Sequence, residues 1–266
     1  MFSGSMTALV TPFRDGEFDE GAYRGLIEFQ IAGGTDGLVP CGTTGESATL
    51  SHTEHERIVE LVVETVARRV PVVAGAGSNS TAEAIRLTRH AARVGADFAL
   101  SITPYYNKPT QEGLIEHFTA VADEGGIPLI LYNVPGRTGV NMLPATVARC
   151  AAHPMIAGLK EATADLRQIS EIIAAAPADF VLLSGDDFTI LPTLAVGGRG
   201  VISVTANVAP KMNTEMIRAF EKGDLAKARE LHYKLLPLAG ALFAESNPIP
   251  AKAAVSLLGR CQNIVR

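Results

Sequence analysis

Positive charge is not in excess in this chain: 23 Lys and Arg stand against 28 Asp and Glu, a formal net charge of −5. No basic run is present, which argues against nucleic acid or an anionic membrane surface as a partner. No apolar run approaches the roughly 20 residues needed to span a bilayer. Met1-Phe2-Ser3-Gly4-Ser5 lacks a basic region followed by an apolar stretch, so no signal peptide is expected and the expected location is cytoplasmic. Cysteine is scarce. Cys41, Cys150 and Cys261 are an odd, scattered set that fits a reducing compartment rather than a disulfide framework. Cys41, beside a Gly-Thr-Thr loop, could be reactive, but small buried filler is the favoured role. No His or Cys cluster has metal-ligand spacing, so no metal is expected. Low-complexity segments and linkers rich in Pro, Gly and Ser are missing too. What remains is 266 residues, 47% hydrophobic and 19% charged, enough for one large core.

The chain repeats one pattern: a short apolar strand, a turn, a helix. Strands are expected over 5–11, 37–40, 71–74, 97–103, 128–133, 156–160, 180–184 and 200–203. Helices are expected over 19–32, 53–67, from Ser80 to Val94, and over 111–124, 144–152, 166–175 and 189–196. Ser51 with Glu54, and Ser80 with Glu83, have the spacing of a capping box. Runs such as Leu129-Ile130-Leu131 and Val181-Leu182-Leu183 are almost continuously apolar. That is the composition of a parallel sheet covered by helices on both faces. Eight such units predict an α/β fold of the (β/α)8 (TIM) barrel type. An open doubly wound sheet is the alternative, disfavoured because no glycine-rich phosphate turn follows the first strand. Helices over 210–223, 224–243 and 249–258 follow the eighth strand. The expected division is a barrel core over 1–209, then a barrel-closing helix and a small helical C-terminal appendage over 210–266.

In such a barrel, chemistry sits on loops after the C-terminal ends of the strands. Those positions hold Gly42-Thr43-Thr44-Gly45-Glu46, Thr103-Pro104-Tyr105-Tyr106-Asn107, Tyr132-Asn133-Val134-Pro135-Gly136-Arg137, Lys160-Glu161, Ser184-Gly185-Asp186-Asp187 and Ile202-Ser203. Lys160 ends a short buried strand. A lysine there either pairs with an acid such as Glu161, snorkels to water, or gives up its proton and becomes a nucleophile toward carbonyl carbon. The Gly-Thr-Thr-Gly loop could gather N–H and hydroxyl groups on a carboxylate, or be a plain turn before the next helix. Tyr132 could relay protons or simply pack. Arg137 could fork onto a substrate carboxylate or form a surface ion pair. Asp186 and Asp187 read better as a turn and helix N-cap than as cation ligands.

Together these residues resemble the dihydrodipicolinate synthase family, within the N-acetylneuraminate lyase superfamily. The resemblance runs from the N-terminus to Asn247-Pro248-Ile249-Pro250-Ala251-Lys252, through Gly42 to Leu50, Thr103 to Asn107 and Gly158-Leu159-Lys160-Glu161-Ala162-Thr163. The lysine and the Gly-Thr-Thr-Gly-Glu loop are superfamily features. The segment Tyr132 to Gly139 is more specific, and related lyases acting on sugar acids usually lack its arginine. Gly136 stands where the family usually has another small residue.

The resemblance implies condensation of pyruvate with L-aspartate 4-semialdehyde through an imine on Lys160. Tyr132 would relay protons, with Thr44 and Tyr106 completing the relay and Tyr106 reaching in from a neighbouring subunit. Thr43 and Thr44 would hold the pyruvate carboxylate, Arg137 the semialdehyde carboxylate. Ile202 would offer a backbone carbonyl near the lysine, and Gly185 would line the substrate site. No cofactor is implied. A homotetramer built as a dimer of dimers is implied. So is a site for inhibitory L-lysine at Ser47, Ala48, His52, His55, Asn79, Glu83 and Tyr105. Family members generally continue through another helix beyond the position of Arg266, so weaker tetramer formation is expected here. A sialic-acid or keto-deoxy-sugar lyase, or a non-catalytic ligand-binding barrel, are the competing readings.

Overall fold

The computed structural model describes residues 2–266. In chain order the elements are β1 (Gly4–Ala8), the hairpin strands β2 (Phe13–Arg14) and β3 (Glu17–Phe18), α1 (Glu20–Ala32), β4 (Gly37–Val39), α2 (His52–Val66), β5 (Val73–Gly75), α3 (Thr81–Val94), β6 (Phe98–Ile102), α4 (Gln111–Gly125) and β7 (Leu129–Asn133). They continue with α5 (Pro135–Thr138), α6 (Pro144–Ala151), β8 (Ile156–Glu161), α7 (Leu166–Ala175), β9 (Val181–Ser184), α8 (Ile190–Ala195), β10 (Gly200–Ser203), α9 (Pro210–Glu221), α10 (Leu225–Leu242) and α11 (Ile249–Leu257). Eight strands form one sheet in the order β4-β1-β10-β9-β8-β7-β6-β5. Leu38 of β4 also bridges in parallel to Val72, the residue before β5. This is the (β/α)8 barrel that the eight alternating units predict, and the open doubly wound sheet is excluded.

The chain divides into two compact units, 1–72 with 202–266, and 73–201. In the first, β1 pairs in register with β4 (Met6 with Gly37, Ala8 with Val39). The first strand stops short of the expected residue 11. The Leu9 amide still donates to the Val39 carbonyl (3.0 Å), and on the other edge a side chain takes the place of a strand: Asn207 donates to the Ala8 carbonyl (2.7 Å) and accepts from the Val10 amide (3.1 Å). The hairpin β2–β3 is an element the strand reading did not include. Its turn is Asp15-Gly16, both in the left-handed region, the pairing that two-residue hairpins favour. Ser51 and Glu54 form a reciprocal capping box at the start of α2 (2.9 and 3.2 Å).

In the second unit, strands β5 to β9 lie over a core that includes Leu114, Phe118, Leu129, Leu131, Leu159 and Ile169. At α3 the capping box is only half made. Ser80 accepts from the Glu83 amide, but Glu83 is engaged by the Ser78 hydroxyl. The register places Tyr132 beside Lys160 and Asn133 beside Glu161. Because side chains alternate across a strand, these two pairs point to opposite faces. The one-turn helix α5, inside what reads as loop, puts Arg137 on its outer side.

Among the described residues no helix is long and apolar enough to cross a membrane.

Candidate active site

Two strand ends bring Lys160 and Tyr132 together in the 73–201 unit. Lys160 and Tyr132 are both only 6% exposed, and the Lys160 Nζ sits 4.2 Å from the centre of the Tyr132 ring. The Lys160 amine makes no hydrogen bond or ion pair with any described residue, so the pairing with Glu161 that its position allowed is not made. Glu161 faces the other side of the strand. Its carboxylate accepts from the Thr163 amide (2.8 Å), Asn133 Nδ2 (2.9 Å) and Gln168 Nε2 (3.4 Å). Burial pushes the Glu161 carboxyl above the usual carboxylate range, against the pull of those donors. A buried amine without an acid partner is the arrangement that suits nucleophilic use of lysine.

Gly185 follows β9 and donates its amide to the Glu161 carbonyl (2.7 Å). A Cβ there would lie 2.7 Å from Ala162 Cβ and 3.0 Å from Lys160 Cε, so only glycine leaves the lysine stem its room. Asp186 accepts from Thr189 N (3.0 Å) and Oγ1 (2.8 Å) at the next turn, the capping role expected of it.

Arg137 is exposed on α5, and its amide donates to the Val134 carbonyl (2.9 Å). Tyr106 is 90% exposed at φ 72°, a region an aromatic residue rarely adopts. Two side chains brace this turn. Asn79 Nδ2 donates to the Tyr105 carbonyl (3.1 Å) and Asn107 Nδ2 to the Asn79 carbonyl (3.0 Å).

The 1–72 and 202–266 unit carries the Gly42-Thr43-Thr44-Gly45-Glu46 loop. Its left-handed residues are not the glycines but the flanking Cys41 (φ 54°) and Glu46 (φ 58°). Gly45 instead serves close approach: a Cβ there would meet Cys41 N at 3.0 Å and Leu9 O at 3.2 Å. Thr44 is buried, and Asn247 Nδ2 donates to its Oγ1 (2.9 Å). That bond leaves the Thr44 hydroxyl proton to be donated elsewhere. Cys41 is buried, its thiol pushed up by burial, and contacts the His55 carbonyl (3.7 Å), which fits filler rather than reactivity. Ile202 lies in β10 and is buried.

Beneath this loop lie residues to which the sequence reading gave no role. Lys252 is fully buried; its Nζ bonds Glu46 Oε1 (2.7 Å), the Thr11 carbonyl and the Ile264 carbonyl (2.9 Å). Burial lowers the Lys252 amine below the usual lysine value, and Glu46 opposes that. Asn247 and Lys252 both stand in the Asn-Pro-Ile-Pro-Ala-Lys stretch, and that motif was the available signal.

Of the seven residues named for L-lysine, four lie together along one stretch of the first unit. Ser47 and Ala48 are in a 3₁₀ turn, His52 opens α2, and His55 is buried one turn on. Asn79, Glu83 and Tyr105 belong to the second unit, where Asn79 bonds the Tyr105 carbonyl.

A parallel barrel with a buried lysine amine at a strand mouth, beside a tyrosine, is an arrangement suited to carbonyl chemistry on an amine. A family model described as "Dihydrodipicolinate synthetase family" matches residues 1–266. The chain belongs to that family. A curated relative from Geobacter sp. (strain M21), 4-hydroxy-tetrahydrodipicolinate synthase, is 59% identical over 266 residues, covering 100% of this chain and 92% of its own. The crystal structure of dihydrodipicolinate synthase from Aquifex aeolicus superimposes with a TM-score of 0.98 at 50% identity, covering 100% of this chain and 91% of that one. The chloride-inhibited dihydrodipicolinate synthase from Acinetobacter baumannii, complexed with pyruvate, matches with a TM-score of 0.98 at 44% identity (100% and 92% covered). The enzyme from Cyanidioschyzon merolae with lysine bound matches with a TM-score of 0.95 at 44% identity (97% and 89% covered).

Proposed function

We propose that this chain is a lyase that condenses pyruvate with L-aspartate 4-semialdehyde to give 4-hydroxy-tetrahydrodipicolinate, the first committed step toward diaminopimelate and lysine. The observation that carries the reading is the buried Lys160 amine, without an acid partner, 4.2 Å from the Tyr132 ring centre. The unprotonated amine attacks the pyruvate ketone and, with loss of water, forms an imine. The imine acidifies the pyruvate methyl group. Loss of a proton gives an enamine, whose carbon adds to the semialdehyde aldehyde. The substrate amine then attacks the imine carbon, closes the ring and releases Lys160. No step calls for an added cofactor.

Within this reading Tyr132 relays protons to and from the imine nitrogen and the new hydroxyl, its phenol both donating and accepting. Thr44 and Tyr106 extend the relay. Thr43 and Thr44 hold the pyruvate carboxylate, and Arg137 grips that of the semialdehyde. The Ile202 carbonyl and Gly185 line the place of reaction. The exposed, strained Tyr106 supports a role completed in a neighbouring subunit of a homotetramer, a dimer of dimers. The C. merolae structure with lysine bound supports an L-lysine site at Ser47, Ala48, His52, His55, Asn79, Glu83 and Tyr105. The three unpaired cysteines support a reducing, cytoplasmic setting.

Sugar-acid lyase activity is not favoured, since curated relatives at 56–60% identity are named 4-hydroxy-tetrahydrodipicolinate synthase. A pure binding barrel would have no use for a lysine placed this way. Borohydride reduction in the presence of pyruvate tests the reading: one adduct is expected on Lys160, and none on Lys160→Ala. Turnover of the semialdehyde by wild type should fall by about 10³-fold or more in that variant. An adduct elsewhere, or full activity without Lys160, overturns the proposal.

A further inference from the structure

Behind the Tyr132–Lys160 pair, on the opposite face of the same two strands, lies a closed set of polar groups. Asn133 is fully buried, Glu161 1% and Gln168 8% exposed. Asn133 uses its whole carboxamide. Its Nδ2 donates to Glu161 Oε2 (2.9 Å) and to Asn141 Oδ1 (2.8 Å), and its Oδ1 accepts from the Met142 amide (3.0 Å). Asn141 and Gln168 bond each other twice, Nδ2 to Oε1 at 2.8 Å and Nε2 to Oδ1 at 3.1 Å.

These bonds close a loop. The chain leaves β7 at Asn133, makes the single turn α5 with Arg137 in it, and returns at Asn141 and Met142 to the side chain of the residue where it left. Gln111 of α4 holds the same return from outside, donating to the Asn141 carbonyl (2.9 Å) and accepting from the Leu143 amide (3.1 Å). Asn133 thus fastens both ends of the segment that carries Arg137, and Glu161 holds Asn133 in orientation. The strands themselves need none of this, because Lys160 is already held by the β7–β8 and β8–β9 ladders. Buried polar side chains that satisfy one another in this way rigidify the segment they hold.

We propose that Asn133 and Glu161 are positioning residues for Arg137: they set where its guanidinium meets the carboxylate of the second substrate, without touching that substrate themselves. This rests on the reading that Arg137 grips the semialdehyde carboxylate. It separates the strand pair by face. Tyr132 and Lys160 serve the imine with pyruvate, while their outward neighbours Asn133 and Glu161 serve recognition of the aldehyde partner.

The test is an exchange of donor and acceptor. In Asn133→Asp, assayed at a pH alkaline enough to keep both groups ionised, the introduced carboxylate faces the Glu161 carboxylate with no hydrogen between them. Adding Glu161→Gln restores a donor. The new carboxamide can give its N–H to the introduced carboxylate and still accept from the Thr163 amide, while Asn141 and Gln168 turn over as a pair.

The single variant should raise KM for the semialdehyde by about tenfold, the scale of one lost charge-assisted contact. KM for pyruvate and the extent of borohydride trapping should stay within about twofold of wild type, since uniform loss of fold would move all three. The double variant should recover KM for the semialdehyde to within about threefold. Equal rises in both KM values, no rise, or no recovery in the double variant each overturn the proposal. Should Asn133→Asp not fold, Asn141→Ala, at a half-buried position, decides the matter by the same split of KM values. A wild-type protein that is neither trapped by pyruvate nor active on the semialdehyde refutes the reaction itself, and that is seen before any variant is compared.

Discussion

Lys252 and Glu46 form a buried ion pair, 2.7 Å between Nζ and Oε1, with the lysine fully buried and the Glu46 side chain 4% exposed. Glu46 closes the Gly-Thr-Thr loop, and its other carboxylate oxygen accepts the Arg266 amide (2.8 Å). Lys252 also satisfies the carbonyls of Thr11 and Ile264. Removing one member of such a pair strands the other charge away from water, whereas the intact pair contributes little net stability. Lys252→Ala should therefore lower unfolding stability by about 3–5 kcal/mol. Glu46→Gln, which keeps an acceptor for the amine, should cost less. Urea unfolding of the three proteins checks the order, and equal midpoints would refute it.

His117 gives the fold a sensitivity to acid. It is buried, its Nδ1 meets Thr81 Oγ1 at 2.9 Å, and its Nε2 has no partner among the described residues. Burial lowers its pKa to about 4, from an ordinary 6.5. Below pH 6.5 the unfolded imidazole binds a proton that the folded one refuses until about pH 4. Stability from this group is thus complete above the unfolded pKa and lost as pH falls. The loss should reach about 2 kcal/mol by pH 5. In His117→Gln the drop in unfolding free energy between pH 7 and pH 5 should shrink by that amount. An unchanged drop would show that other groups carry the acid limb.

The barrel was legible because its strands are buried on both faces and read as unbroken apolar runs, as in Val181-Leu182-Leu183. That Lys160 and Tyr132 stand at strand ends was legible because polar residues there stand out against such runs, and the register sets the two side by side. The hairpin at Asp15-Gly16 escaped notice because its strands are two residues long, too short to show alternation, although the turn dipeptide was visible. Glu161 illustrates a deeper limit. Sequence places it next to Lys160, and proximity along the chain suggested an ion pair. Strand alternation sends the two side chains to opposite faces, and only the register with β7 shows that Asn133 is the partner Glu161 meets. Lys252 lies 206 residues from Glu46 along the chain, so no local pattern could join them.

Gly185 should tolerate no side chain. A methyl group would stand 3.0 Å from Lys160 Cε and 2.7 Å from Ala162 Cβ, inside ordinary contact distance of both. Ala162 Cβ is fixed to its backbone, so the turn must shift as well as the flexible lysine stem. Gly185→Ala should therefore lower turnover by about 10²-fold through misplacement of the amine. The thermal midpoint should fall modestly, as expected for a crowded site worth about 1–3 kcal/mol. The rate of borohydride trapping with pyruvate reads the amine directly. Trapping as fast as wild type would mean that the stem does not move.

Asn247 determines which way the Thr44 hydroxyl points. Its Nδ2 donates to Thr44 Oγ1 at 2.9 Å, so the hydroxyl receives a hydrogen from the protein and keeps its own to give. An aspartate at 247 is nearly the same shape but, when ionised, can only accept. It would draw the Thr44 proton toward itself and present a lone pair outward. With Thr44 assigned to the pyruvate carboxylate, Asn247→Asp should raise KM for pyruvate by about tenfold, the loss of one hydrogen bond to a charged group. KM for the semialdehyde should change far less. Thr44→Val removes the hydroxyl altogether, so Asn247→Asp added to it should raise KM for pyruvate little further. Independent, multiplying effects of the two substitutions would show that Asn247 does not act through Thr44.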